Sequence, residues 1–200
     1  KKLHNTLKMP HFVFPTTLSA EQCTSDDLAE FHATLINEGE TIQSFNCGDI
    51  ELNDFIINRA AKYRDELLAV SYVLEENDTP IAYFSLSNDN LSYEKFQQKT
   101  SFNRLNRAID NAKRMKQYPA VKIGRLAIDE SHRNTGVGRY LLSLIKSSMI
   151  INQKSGCRFI TVDAYNDAIG FYEKNGFNMV NTYNPERRTQ SMFFDLAQLL

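Results

Sequence analysis

The sequence predicts an α/β or α+β protein built on one sheet, with a parallel crossover in its second half. Three observations predict it. Residues 69–86 carry two strand-like runs around a turn, which is a hairpin pattern. From Val121 onward, strand-like and helix-like segments alternate. No Gly/Ser/Pro-rich linker and no internal repeat divides the 200 residues, so residues 1–200 read as a single domain.

The elements follow in chain order. Residues 1–20 hold Pro10 and Pro15 and read as an N-terminal arm. Asp26 to Asn37 places Leu28, Phe31, Leu35 and Ile36 at helical spacing. Asp49 to Tyr63 repeats that spacing with Leu52, Phe55, Ile56, Ala60 and Tyr63, and the Gly48-Asp49 step suits a helix start. Ala69 to Leu74 is strand-like, Asn77-Asp78-Thr79-Pro80 is a turn, and Ile81 to Leu86 is the second strand. Residues 91–118 form a basic insert. Lys95, Lys99, Arg104, Arg107, Lys113, Arg114 and Lys116 face only Glu94 and Asp110, while Phe102, Leu105, Ile109 and Met115 give partial helical periodicity. Val121 to Ile128 reads as a strand. Gly138 to Ile151 reads as a helix with Leu141, Leu142, Ile145 and Met149 on one stripe. Phe159 to Val162 is a strand, and Asp167 to Lys174 is a short helix ended by Asn175-Gly176. Phe177 to Asn181 and Ser191 to Leu196 close the chain as strands.

Composition excludes several classes. Hydrophobic residues at 42% and aromatics at 11% suffice for a core without disulfides or a structural metal, and they exclude disorder as the main state. A net charge of −1 argues against a globally basic nucleic-acid binder and leaves a local basic face open. Cys23, Cys47 and Cys157 show no CxxC spacing, and His4, His11, His32 and His132 are scattered, so no metal site is expected. No run of about 18 apolar residues predicts a membrane span. The Lys1-Lys2-Leu3 start lacks the apolar stretch of a signal peptide, and the expected compartment is a reducing cytoplasm.

Arg133-Asn134-Thr135-Gly136-Val137-Gly138-Arg139-Tyr140 lies between a predicted strand and a predicted helix. Its glycines permit close backbone approach, and the helix start offers unpaired N–H groups to an anion such as a pyrophosphate. Taken alone, this pattern also fits simple turn chemistry. No Gly-Lys-Ser/Thr follows it, and Leu141 stands where a dinucleotide fingerprint needs a third glycine. Downstream, Asn166-x-Ala168-Ile-Gly-Phe171-Tyr172-x-x-x-Gly176-Phe177 follows a predicted strand. The two motifs, in this order over roughly 121–180, resemble those of the GNAT acyl-CoA N-acyltransferases.

The resemblance implies a mixed, mostly antiparallel twisted sheet with flanking helices. The strands near 121–128 and 158–163 should splay to admit acetyl-CoA as co-substrate. Arg133, Asn134, Thr135, Gly136, Val137 and Gly138 would form the pyrophosphate loop, with Arg139 and Tyr140 near the phosphate end of CoA. Backbone groups of Leu126, Ala127 and Ile128 would pair with the pantetheine arm like an added strand. Asn166 would contact that arm, and Tyr172 would be the general acid near the thioester sulfur. As an aromatic beside Phe171, Tyr172 also fits a core position.

Direct acetyl transfer to a primary amine needs no metal and no covalent enzyme intermediate. Asp129, Glu130, His132 and Asp163 are acid or base candidates by location only, and each reads more readily as a solvated loop residue or a cap.

Phe45-Asn46-Cys47-Gly48 with Leu52-Asn53-x-Phe55 resembles the opening of GNAT toxins, whose acceptor is the amino group of aminoacyl-tRNA. A tRNA-directed enzyme would take its basic face from 92–118. A CoA-binding module with little catalysis is the reading from another class. Glu51, Asn53, Ser85 and Asn88 are candidates to line the acceptor cleft. A homodimer through the C-terminal strand Ser191–Leu196 or through an apolar helix face is the oligomer this sequence suggests.

Overall fold

Asn77 and Asp78 both adopt left-handed backbone angles, with φ 50° and 61°. Two such residues in succession match the twist of a tight hairpin, and short polar side chains tolerate them. They fold β2 (Val70–Glu76) onto β3 (Thr79–Ser92), as the hairpin pattern predicted. The structure is a computed structural model and describes residues 33–36, 42, 44–110, 114–151 and 155–200. The N-terminal arm expected at 1–20 lies outside them.

Within the described residues one seven-stranded sheet runs in the order β1-β2-β3-β4-β5-β7-β6. Here β1 is Ala33–Leu35, β4 Gln117–Ile128, β5 Phe159–Tyr165, β6 Asn178–Met179 and β7 Thr189–Asp195. Every neighbouring pair is antiparallel except β4 and β5. That single parallel pair is the predicted crossover, made by α4 (Val137–Ile151).

One expectation is corrected and another narrowed. The helical spacing over 26–37 ends in a strand, because Ala33–Leu35 pair with the otherwise open edge of β2 and Ile36 N–H donates to the Ser71 carbonyl at 3.0 Å. Pairing there outweighs a local helical pattern. The Ser191–Leu196 strand lies between β5 and β6: β5 takes one edge, and β6 covers the other at Met192 and Phe193, which narrows the edge left for a strand-to-strand dimer contact.

Strand alternation gives the sheet two faces. One is covered by α4 and α5 (Ile169–Lys174), with Leu74, Phe84, Ile123, Leu141, Ile145, Ile160 and Met192 at its core. The other carries two separate covers. Helix α1 (Ile50–Asp54) runs through a π-helical turn, Phe55–Arg59, into α2 (Ala60–Asp65); these bury Phe55, Ile56 and Ala60 against Val73, Tyr83 and Ala127. Helix α3 (Lys99–Ala108) buries Phe102 against Leu91, Tyr118, Phe159 and Phe193. The basic insert thus includes the end of β3, a 3-10 turn at Tyr93–Lys95, α3 and the first two residues of β4. Met115 falls outside α3 and is exposed.

Leu141 is fully buried on α4. Leu141→Ala is expected to cost about 2–5 kcal/mol, from lost transfer energy and an unfilled cavity. Urea denaturation would read this as a lower midpoint at unchanged slope.

Candidate active site

The parallel pairing of β4 with β5 stops at Ile123↔Val162. Beyond that point β4 stays with β3 to Ile128, and β5 stays with β7 to Tyr165. A wedge opens between them. Gly124 sits in a bulge at its root, where the register steps from Ser85↔Arg125 to Leu86↔Ile123.

Antiparallel pairing decides which backbone groups face the wedge. Asp129 N–H donates to the Ile81 carbonyl at 2.8 Å, which makes 129/81 a hydrogen-bonded pair. The alternation then spends the backbone groups of Ala127 on Tyr83 and turns those of Leu126 and Ile128 into the wedge. Of the three residues expected to pair with an extended ligand, two present an open edge and Ala127 does not.

At the mouth of the wedge the chain turns into α4. Asn134 (φ 63°) and Gly136 (φ 96°) take left-handed angles, and Gly136 has nothing within 4 Å of a Cβ built on it. Gly136 O accepts the first helical bond, from Tyr140 N–H at 3.1 Å. The amides of Val137, Gly138 and Arg139 precede that bond and form the helix's anion-receptive end. Val137 is buried and anchors the turn. A Cβ at Gly138 would stand 2.9 Å from Ile128 Cδ1 and 3.1 Å from Phe171 Cε2, so glycine lets α4 sit against both β4 and α5. Thr135 Oγ1 donates to His132 O at 2.7 Å and stabilises the loop itself, while Arg139 is exposed.

Two predicted ligand contacts are engaged elsewhere. The Arg133 guanidinium donates to the Cys47 carbonyl and stands 3.8 Å from Glu130, bracing the 46–48 loop instead of turning to the helix end. Gly48, at φ 75°, leaves room for that brace. Asn166 donates to Arg187 O at 2.9 Å and accepts from Gln190 at 3.1 Å.

Tyr172, on α5, is 6% exposed and packs edge-on to Phe171 and Phe177. Its hydroxyl has no hydrogen-bond partner among the described residues. The oxygen is nevertheless not fully sealed from solvent. Burial pushes its pKa above the usual phenol value. Phe171, not Tyr172, lies against the start of α4.

Residues 68–179 match the acetyltransferase (GNAT) domain family. The chain belongs to the GNAT acetyltransferases. Solved structures of the same fold include a bacterial toxin, at 15% identity and a TM-score of 0.70, covering 84% of this chain and 92% of that one. AtaT complexed with acetyl-methionyl-tRNAfMet aligns at 21% identity and TM-score 0.65, over 85% and 97% of the two chains. AtaTR bound with AcCoA aligns at 21% and 0.66, over 84% and 95%.

In this acetyltransferase the candidate bases are already committed. Burial raises and hydrogen bonds from Ser131 and Asn46 lower the Asp129 pKa, with a net fall. Glu130 accepts from Asn46, and His132 lies between Ser131 and Glu76, at 2.8 and 3.3 Å. Only Asp163 stands beside the wedge, on the face that carries α1–α3. Its burial is outweighed by hydrogen bonds from Lys122 (2.6 Å) and Ser191 (2.7 Å), which hold it below the usual carboxylate range. A carboxylate held ionised in this way is a weak proton acceptor and a better dock for an ammonium group.

The acceptor-side candidates separate likewise. Asn53 binds Cys47 N–H at 2.9 Å and donates to Asn46, so it shapes the loop. Ser85 is sealed at 1% exposure, its hydroxyl without a partner among the described residues, like that of Ser71 opposite it on β2. Glu51 is exposed. Asn88 is exposed on the opposite face, being one residue out of phase with Ser87 and Asp89. The polar strip between the two helical covers is instead Asp89, Lys122, Thr161, Asp163 and Ser191, joined by Thr161–Asp89 and Lys95–Asp89 contacts at 2.6 and 2.7 Å. Strand periodicity through Ala120 and Lys122 was the signal that would have found Lys122. Arg125, stacked on Phe55 at 3.6 Å, gave no local signal, because the bulge and the π-turn place it.

Among the described residues no group of three or more His, Cys, Asp or Glu is placed to hold a metal ion, and no helix is long and apolar enough to cross a membrane.

Proposed function

We propose that this acetyltransferase moves the acetyl group of acetyl-CoA directly onto a primary amine, with the whole chain acting as one domain in the cytoplasm. The observation that carries this reading is the wedge. An unpaired edge at Leu126 and Ile128 runs toward a glycine-lined helix end, which suits an extended arm that terminates in a pyrophosphate.

Leu126 or Ile128 N–H meets the negative charge that develops on the carbonyl oxygen as the amine attacks. The Tyr172 hydroxyl gives its proton to the departing sulfur, an acid role of typically about 10²–10⁴-fold. Asp163 draws the incoming ammonium to the wedge. The amine loses its proton to solvent, since no free base faces it among the described residues. The Tyr172 hydroxyl, not fully sealed, favours catalysis over mere CoA binding.

A second reading has its own support. Arg104, Arg107, Arg114 and Lys116 are exposed on or beside α3, on the acceptor face, and a polyanion would pair with them. The acceptor would then be the amino group of an aminoacyl-tRNA, as the likeness to AtaT suggests. The experiment is calorimetric titration with acetyl-CoA, followed by transfer assays on small amines, peptides and charged tRNAs. Micromolar acetyl-CoA binding is the expected result, and none would end the enzyme reading. If charged tRNA is the acceptor, its binding should weaken steeply between 50 and 200 mM salt, by about 10-fold or more. A salt-independent acceptor would leave the small-amine reading.

A further inference from the structure

Lys146 lies on the helix face that packs toward α5, and its ammonium is half-buried with no ion-pair partner among the described residues. Its Nζ donates to the Asn175 carbonyl at 2.6 Å and sits over the rings of Phe194 (3.9 Å) and Phe177 (5.5 Å). Asn175 is the residue that ends α5. Its own N–H and that of Phe177 both return to the Tyr172 carbonyl, at 3.0 Å each, and its side chain donates to Phe171 O at 2.8 Å. One lysine thus ties α4, the end of α5 and β7 together, one helical turn from Tyr172.

We propose that Lys146 is a positioning residue that fixes the C-terminal turn of α5 and, through it, the Tyr172 hydroxyl. The consequence for catalysis rests on the acid role given to Tyr172 above. The chemistry suits the task. A cation at a helix C-terminus meets the exposed carbonyls and the negative end of the macrodipole, and aromatic faces accept it without a counter-carboxylate. Desolvation lowers its pKa to about 8, so the charged form is held there against a solvation cost. A residue serving stability alone would not be improved by that cost, whereas a donor needed at one carbonyl must be present whatever it costs.

The test uses Lys146→Met and Lys146→Arg in the full chain. Methionine keeps the stem and its contact with Phe194 but loses the donor; arginine keeps charge and donor. With Met, amide exchange at Asn175, Gly176 and Phe177 is expected to quicken several-fold, while the melting temperature holds or rises because a desolvated cation is gone. CoA thiol release from acetyl-CoA, with water as acceptor, is expected to fall about tenfold in kcat at unchanged acetyl-CoA Kd. Lys146→Arg should restore both readouts. Unchanged exchange at the three amides in Lys146→Met overturns the proposal. So does faster exchange with unaltered kcat in a protein whose Tyr172→Phe variant is inactive. If Tyr172→Phe is instead fully active, the acid role fails on its own, and the exchange readout alone then judges the hold on α5.

Discussion

Replacing Gly136 with valine is expected to abolish acetyl-CoA binding while the protein stays folded. Gly136 sits at φ 96°, which a β-branched residue does not reach without strain of about 1–3 kcal/mol. No atom lies within 4 Å of its Cβ position, so valine meets no protein wall. The strain instead relaxes by moving the peptide units on either side, and those units lead into the amides of Val137–Arg139. The new side chain also enters the space in front of the helix end. Both effects act on a ligand's anion and neither touches the core. Calorimetry should show acetyl-CoA affinity falling about 100-fold or more, which is at least about 2.7 kcal/mol. An unchanged Kd would mean that the loop is turn chemistry only. Arg133→Ala is a different experiment, because Arg133 braces Cys47 and Glu130. Its first effect falls on the 46–48 loop.

Tyr172→Phe is expected to cut acetyl transfer by about 10²–10⁴-fold with acetyl-CoA affinity unchanged. The ring contacts with Phe171 and Phe177 survive the change, and the lost hydroxyl had no partner to orphan, so the melting temperature should barely move. The pH dependence follows from the sign of the shift. Burial favours the neutral phenol, so Tyr172 keeps its proton at every pH below the ordinary phenol value of about 10. The wild-type profile should therefore lose no activity to Tyr172 ionisation between pH 6 and about 10, and rise with amine deprotonation in that range. A rate equal to wild type in the phenylalanine variant would remove Tyr172 from the chemistry.

Much of this arrangement was legible in the residues, and the illegible parts share a cause. The Asn77-Asp78 hairpin, the α4 stripe and the Gly176 stop are written in local chemistry, and each stands where expected. The two cofactor motifs fall on a strand–turn–helix and on α5, as their order implied. What failed depends on partners distant in sequence. Leu35 and Ile36 read as helical because β2's open edge is invisible locally. Arg133 reads as an anion contact because the carbonyl it meets lies 86 residues away. Ala127 could be separated from Leu126 and Ile128 only by the phase of pairing with β3. Arg125 was missed because the bulge at Gly124 shifts which β4 residues share a face with Lys122.

The gap between β4 and β5 also bears on how the molecule is held together. Strands β1–β4 and β5–β7 make two half-sheets, stitched by only four residue pairs along a seam from Ala120↔Phe159 to Ile123↔Val162. A ligand lying along Leu126 and Ile128 lengthens that seam with its own hydrogen bonds. If acetyl-CoA lies there as proposed, it is a missing thread of the fabric as well as a reagent, and each turnover that releases CoA returns the two halves to their looser join.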